Sequence, residues 1–406
     1  MTADDGRATM PERTSLGVEA LCADPGLIPA GNYGLVTNFT GVMADMTRNI
    51  EALRHAGVRV SALFGPEHGL RGSVQAGETE SSAVDELTGL PLYETYMKTP
   101  DELDQLVVDA GVDGLLFDMQ DIGVRFYTYV WTMYDCLLSA ARTGVRLVVL
   151  DRPNPLTGIA VAGPGVEKDC ESFVGRIDLP LRHGLTVGEL ARYANGHVLP
   201  ERLGTAADLQ VVPMADWRRS DDVERAGTPW VAPSPNMPTS DTAHAFCGTG
   251  LFEGTNVSEG RGTTRPFETI GAPYVDGSLI QALRALELPG VLFRETWFVP
   301  TFHKHAGESC RGVQLHVTDR REFDPVRTGV LMLSTLARLH PDHFNFLVPG
   351  ERVDAPEWGY AIDRLWGSDR LRRTVEGGGD VEPLLAPVTS THATYPEGVL
   401  LYTDDR

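Results

Sequence analysis

Three apolar runs, at residues 58–64, 114–117 and 145–150, each end in a loop crowded with polar and acidic side chains. The loops read Gly65-Pro66-Glu67-His68-Gly69, Asp118-Met119-Gln120-Asp121 and Asp151-Arg152-Pro153-Asn154-Pro155. A short apolar run bounded by turn residues reads as a buried strand. In an open parallel sheet, such loops all leave the carboxyl edge of the strands, where ligands bind. Carboxylates distant in sequence should therefore converge on one cleft, a layout suited to an enzyme acting on a polar, uncharged bond such as a glycoside.

Helical patterns separate the runs. Residues 47–56 carry Ile50 and Leu53 at helical spacing, with Gly57 as C-cap. Residues 100–110 carry Leu103, Leu106 and Val107, and residues 129–143 place Met133, Cys136, Leu137 and Ala140 on one face before Gly144. With a further short strand at 34–36, this alternation specifies βαβ units and a parallel sheet, and right-handed crossovers make it a doubly wound, Rossmann-like α/β domain. Thr186 and Glu189 form a capping box that opens a helix over 186–195, and a strand follows at 209–212. Residues 217–265 are rich in Gly, Pro, Ser, Thr and Asn and read as a long functional loop. Strands at 298–301 and 312–317 and a helix at 325–339 complete the pattern. The expected organisation is a disordered arm over 1–14, a Rossmann-like domain over 15–209 and a smaller C-terminal α/β domain over 210–406.

Composition removes several function classes. A formal net charge of −21 disfavours nucleic acid or an anionic membrane as partner. The five cysteines are scattered, without a CxxC pair or Cys/His cluster, so they read as reduced thiols rather than metal ligands. No stretch approaches the roughly 18 apolar residues of a membrane span, and the polar N-terminus lacks an apolar leader, so a cytoplasmic location is expected. No GxGxxG follows a strand, and there is no P-loop, HExxH or GxSxG. A dinucleotide, a cofactor, a catalytic metal and Ser/His/Asp hydrolysis are therefore not expected.

The remaining candidates lie in the strand-end loops. Glu67 sits in a turn fixed by Pro66 and Gly69, a placement suited to a general acid or to capping the next segment. Asp118 and Asp121, followed by Arg125 and two tyrosines, suit sugar-hydroxyl binding with acid–base work, or a divalent cation. Asp151 and Arg152 suit ligand contact or a structural ion pair with each other. Further on, Ser234-Pro-Asn236-Met-Pro238 and the segment from Glu253 to Arg265 combine close backbone approach with charge of both signs. Two arginines there, Arg261 and Arg265, suit a carboxylate or phosphate.

Taken together these blocks resemble one family, the exo-acting β-N-acetylmuramidases of the NamZ type. The resemblance runs through Gly34-Leu-Val-Thr-Asn38-Phe-Thr-Gly41, Leu63-Phe-Gly-Pro-Glu67-His-Gly-Leu-Arg71-Gly72, Gln75-Ala-Gly-Glu78, Phe117-Asp-Met-Gln-Asp121, Arg125-Phe-Tyr-Thr-Tyr129 and Leu150-Asp-Arg-Pro-Asn-Pro155. It continues through Pro233-Ser-Pro-Asn-Met-Pro238 and Leu251-Phe-Glu-Gly-Thr-Asn256-Val-Ser-Glu259-Gly-Arg261-Gly-Thr-Thr-Arg265-Pro266. It implies an active site in the cleft between the two domains and removal of terminal β-linked N-acetylmuramic acid from peptidoglycan-derived saccharides, with Glu67 at the family's proposed catalytic position. Many members are exported, whereas a cytoplasmic copy would serve cell-wall recycling.

On this combined reading Glu67, Asp118 and Asp121 are the catalytic candidates. Asn38, His68, Arg71, Gln120, Arg125, Tyr127, Asp151, Asn154, Asn236, Glu253, Asn256, Glu259, Arg261 and Arg265 are the substrate-binding candidates. The identity of the second catalytic group stays open among inverting, retaining and substrate-assisted routes. A non-catalytic saccharide binder and a cation-dependent hydrolase using Asp118 and Asp121 are the alternatives.

Overall fold

The structure, a computed structural model, describes residues 13–72, 83–348, 350 and 359–403. The Gln75–Glu78 block and the first twelve residues of the expected arm lie outside the described residues. Arg13 and Thr14, expected in that arm, are seated on the body: Thr14 donates its N–H to Ala226 at 3.0 Å and Arg13 pairs with Glu19.

The first unit is built on strands β1 (Tyr33–Thr37), β2 (Val60–Gly65), β3 (Leu92–Glu94), β4 (Gly114–Asp118), β5 (Arg146–Leu150), a two-residue β6 (Ala160–Val161) and β7 (Leu209–Val212). Six of them form an all-parallel sheet in the order β3-β2-β1-β4-β5-β7. The side-chain period of two explains why the runs are apolar throughout. Leu35, Leu63, Leu116 and Val148 face one layer, with Ile50 and Leu53 of the Asn49–His55 helix, while Val36, Phe64, Phe117 and Val149 face the other, with Met133 and Leu137 of the Tyr129–Thr143 helix. Both faces are covered, so neither can be polar. The Pro100–Ala110 helix starts where Thr99 and Glu102 form a capping box and stops at Gly111, whose φ of 59° only glycine adopts without strain.

Strand order reverses between β1 and β4. Loops from these two strands diverge there and leave a crevice at the carboxyl edge. Asn38 follows β1, Glu67 follows β2, and Asp118 and Asp121 end and follow β4, so the fold delivers these candidates to one edge.

The second unit carries an antiparallel sheet of β8 (Thr269–Ala272), β9 (Val291–Phe298) and β10 (Cys310–Val317) in the order β8-β10-β9. Helices Ser240–Thr249 and Pro325–Leu339 pack on each other through Gly248 and Gly329. A Cβ at Gly248 would stand 1.8 Å from the Pro325 carbonyl oxygen, so only glycine permits this approach. The units share apolar core: Phe126 and Tyr127 of the first pack edge-on to Phe246 of the second. The chain end returns to the first unit, where Tyr395 and Val399 join its core.

Three expectations need correction. Residues 217–265 are not one long loop, because they contain the Ser240–Thr249 helix, started by Thr239 accepting from the Thr242 N–H. That helix is buried almost all round, so no amphipathic stripe marks it in the sequence. The strand placed at 298–301 is instead Val291–Phe298, an edge strand whose mixed burial hides its period. Arg152 does not pair with Asp151; its partner is Asp118.

Candidate functional site

Glu67 is raised by a tight turn at the end of β2, closed by the Gly69 N–H to the Pro66 carbonyl at 3.0 Å. His68 within it holds φ at 70°, a conformation costly for a non-glycine residue and concentrated at functional sites. Glu67 is 7% exposed, and its Oε2 accepts a 2.6 Å hydrogen bond from the Thr128 hydroxyl. The carboxyl is thereby fixed in orientation at the lining of a cleft. Glu67, His68, Tyr127 and Thr128 line this cleft from the strand-end loops, Ser234 adds to it, and Phe246, Glu253, Arg261 and Phe267 line it from the second unit.

Beside Glu67 the polar groups are not all satisfied. The Asp121 Oδ1 is buried without a hydrogen-bond partner among the described residues, while the Asn38 amide interacts with Tyr129, and the Tyr127 hydroxyl with Ser234 and Tyr129. Electrostatic interactions tie Tyr127 to Asp121 and Glu67, and Tyr129 to Glu67 and Asn38, so these groups occupy one neighbourhood. Burying a polar atom unpaired costs about 1–3 kcal/mol, so the free Asp121 oxygen is best explained by a polar ligand or water that completes it. Burial pushes the Tyr127 phenol far above its ordinary value, which keeps it a neutral donor.

The opposite wall is a charge network. Arg261 pairs with Glu253 and, at 3.3 Å, with Glu259, and its guanidinium lies 5.0 Å from the Phe267 ring centre. Glu259 is fully buried. Burial alone would raise its carboxyl, but Lys304 at 2.7 Å, His303 at 3.1 Å and Arg261 outweigh burial and hold it well below the usual carboxylate range. Lys304 also donates to the Phe252 and Val257 carbonyls, which locks this wall in place.

Other nominated residues stand elsewhere. Asp118 is fully buried and takes a bidentate ion pair from Arg152, at 2.6 and 2.9 Å, plus the Asn49 amide at 2.8 Å. Asp151 is also fully buried, held by Tyr402, Thr186 and the Gly188 N–H; burial pushes its carboxyl up to about 6 against those hydrogen bonds. Arg125 is buried and donates to three backbone carbonyls, of Pro164, Leu179 and Leu365, with burial lowering its guanidinium to about 10. Asn154 bridges Leu185 and Leu156, and Asn256 is held by His343, Tyr274 and Asn345. Gln120 braces the Asp121 and Pro153 carbonyls, Arg71 pairs with Asp85 and Glu86, and Arg265 is half exposed beside Glu268. Asn236 is buried in the Ser234–Met237 turn, two members of which line the cleft.

Three contributors escaped the residue reading: Thr128, Lys304 and the aromatic wall of Phe126, Phe246 and Phe267. Thr128 had a signal, since it lies inside the Arg125–Tyr129 block; Lys304 had none. Among the described residues no three His, Cys, Asp or Glu side chains group so as to hold a metal ion, and no helix is long and apolar enough to cross a membrane.

A family model described as exo-beta-N-acetylmuramidase NamZ, N-terminal, matches residues 33–241, and its C-terminal counterpart matches residues 244–402. The chain belongs to the NamZ family. The peptidoglycan beta-N-acetylmuramidase NamZ of Bacillus subtilis (strain 168) is 42% identical over 376 residues, spanning 92% of this chain and 87% of that protein. A crystal structure of a DUF1343 family protein from Bacteroides fragilis NCTC 9343 superposes with a TM-score of 0.79 at 32% identity, covering 91% of this chain and 93% of the other. A second protein of that description from the same organism superposes with a TM-score of 0.69 at 23% identity and attests the fold, covering 97% of this chain and all of the other. The NamZ-type segments around Glu67, Arg125–Tyr129, 233–238 and 251–266 each contribute at least one residue to the cleft lining described above.

Proposed function

We propose that this chain is an exo-acting glycoside hydrolase that releases terminal β-1,4-linked N-acetylmuramic acid from the non-reducing ends of peptidoglycan fragments. The observation that carries the reading is Glu67: a buried, oriented carboxyl at the switch-point cleft of a NamZ-family scaffold. Glu67 donates its proton to the glycosidic oxygen, with Thr128 holding Oε2 so that the carboxyl faces the bond. Asp121 completes its hydrogen bonding with a polar group of the bound sugar, beside Tyr127 in the same neighbourhood. Arg261, at the opposite wall, takes the lactyl carboxylate that distinguishes muramic acid from glucosamine, since a carboxylate entering the cleft needs a cationic partner.

Asp118 acts in this reading by anchoring Arg152 at the sheet edge. A cation held by Asp118 and Asp121 would first have to displace a bidentate guanidinium, which disfavours the cation-dependent alternative. Glu253, which lines the same cleft as Glu67, and Asp121, which interacts with Tyr127 of that lining, are the candidates for the second carboxylate.

Release of a chromophore from a β-muramide glycoside tests the reading. The wild-type chain turns it over, and Glu67→Gln lowers kcat by on the order of 10²- to 10⁴-fold while substrate binding persists. Binding without release by the wild type would make the chain a saccharide-binding protein. Undiminished cleavage of a poor leaving group by Glu67→Gln would remove Glu67 as the acid.

A further inference from the structure

His183 is fully buried and belongs to none of the groups assigned above. Its Nδ1 accepts the Leu185 N–H at 3.2 Å, which places the ring proton on Nε2. That N–H faces Asp121 Oδ2 at 3.6 Å and has no other hydrogen-bond partner. The same Oδ2 accepts the Gly123 N–H at 2.6 Å. The other oxygen, Oδ1, is buried and without a partner among the described residues, and the Asp121 carboxyl interacts electrostatically with Tyr127, which lines the cleft. The two chain segments are pinned together: Val124 bridges Arg182, and the Arg125 N–H donates to the Leu181 carbonyl at 2.8 Å. The imidazole therefore cannot drift from the carboxylate, and its tautomer is set from behind.

We propose that His183 is a positioning residue for the glycosidic reaction: its Nε2–H closes on Asp121 Oδ2 when substrate binds and holds Oδ1 toward the sugar as the acceptor for a substrate N–H or O–H. The 3.6 Å separation is longer than a hydrogen bond, and hydrogen bonds of this kind tighten when the site is occupied. With Gly123 and His183 both on Oδ2, the carboxylate has one oriented oxygen to offer, which suits a group that must meet a single donor. The proposal rests on the muramidase reading above.

Two substitutions separate positioning from packing. In His183→Asn the amide oxygen can still accept the Leu185 N–H, but the side chain is too short to reach Asp121. In His183→Gln the amide N–H reaches Asp121, but the acceptor for Leu185 is lost. Positioning requires His183→Asn to lower kcat/KM for the β-muramide glycoside by about 10- to 100-fold with an unchanged melting temperature, and His183→Gln to retain most of the activity. It also requires His183→Asn to cost nothing further in an Asp121→Asn background, because the two act through one carboxylate. A His183→Asn enzyme as active as wild type, or additive losses in the double variant, would overturn the proposal. If His183→Asn fails to fold, His183→Gln decides the question: retention of most of kcat/KM supports positioning through the Nε2–H, and a loss of about 10-fold or more in the folded variant overturns it. Failure of the muramidase reading is distinguishable, since the wild type itself would then release nothing.

Discussion

Asp151 offers a test of the structure that does not depend on the reaction. Its carboxyl is fully buried at the end of β5, where Thr186, the Gly188 N–H and Tyr402 converge, and burial raises it from 3.8 to about 6. A carboxyl whose folded value lies above its unfolded value binds its proton more tightly in the folded state. Its stabilising contribution is then fully present below pH 3.8 and is lost as pH rises through about 6. The gap between those values, at about 1.36 kcal/mol per pH unit, is about 3 kcal/mol. Asp151→Asn removes the titration and keeps a side chain of the same shape. Urea unfolding from pH 3.5 to 7, followed by tryptophan fluorescence, reads the difference; Trp217 stacks edge-on to Tyr402 at 5.0 Å and reports on this junction. The unfolding free energy of Asp151→Asn relative to wild type should rise by about 3 kcal/mol across that window. Any constant offset from exchanging an oxygen for an amide is irrelevant, because the slope carries the information. A flat difference, or one that falls with pH, would mean that the carboxyl is ionised throughout, and the account of its burial would be refuted.

Arg261→Ala should lower kcat/KM for muramoyl substrates by about 10- to 100-fold and leave glucosaminyl analogues within about three-fold, the loss of one charge-assisted contact. Equal losses on both, measured on matched chromogenic glycosides, would reject Arg261 as the lactyl partner. Arg152→Met should destabilise the fold by about 3–5 kcal/mol in urea, because it strands a buried Asp118 with only Asn49 for support. Adding Asp118→Asn should recover part of that loss, and unaltered stability in Arg152→Met would contradict the ion pair.

Legibility in the sequence followed the physics of each element. Helix Pro100–Ala110 could be bounded closely because the Thr99 capping box and Gly111 mark its two ends, and Tyr129–Thr143 because Gly144 marks where it stops. The strands of the parallel sheet could be found because burial on both faces leaves an unbroken apolar run. The Ser240–Thr249 helix escaped because its buried small and polar residues carry no stripe, and Gly248 lets it pack closely on the Pro325–Leu339 helix. In the site, the strand-end argument nominated Glu67, which lines the cleft, and also Asp118 and Asp151, which lie fully buried among their own partners. What separates them is the partner, and Arg152, Tyr402 and Asn49 come from loops that local sequence cannot align.

That separation explains how one sheet edge can carry so many carboxylates. Asp118, at the last position of β4, lies too deep for solvent and must be compensated, which a bidentate guanidinium does. Asp151, at the end of β5, pairs with no cation among the described residues and instead raises its proton affinity, while three donors tie Tyr402 and the Val187–Tyr193 helix to the sheet. Glu67 and Asp121 sit one turn beyond their strands, where burial is incomplete and each carboxyl is only partly tied, by Thr128 in one case and by Gly123 in the other. A catalytic carboxyl must be oriented yet retain capacity for a reacting partner. Among the acidic residues of the sheet edge these two meet both conditions, so depth along the strand, rather than residue type, divides the anchors from the candidates for chemistry.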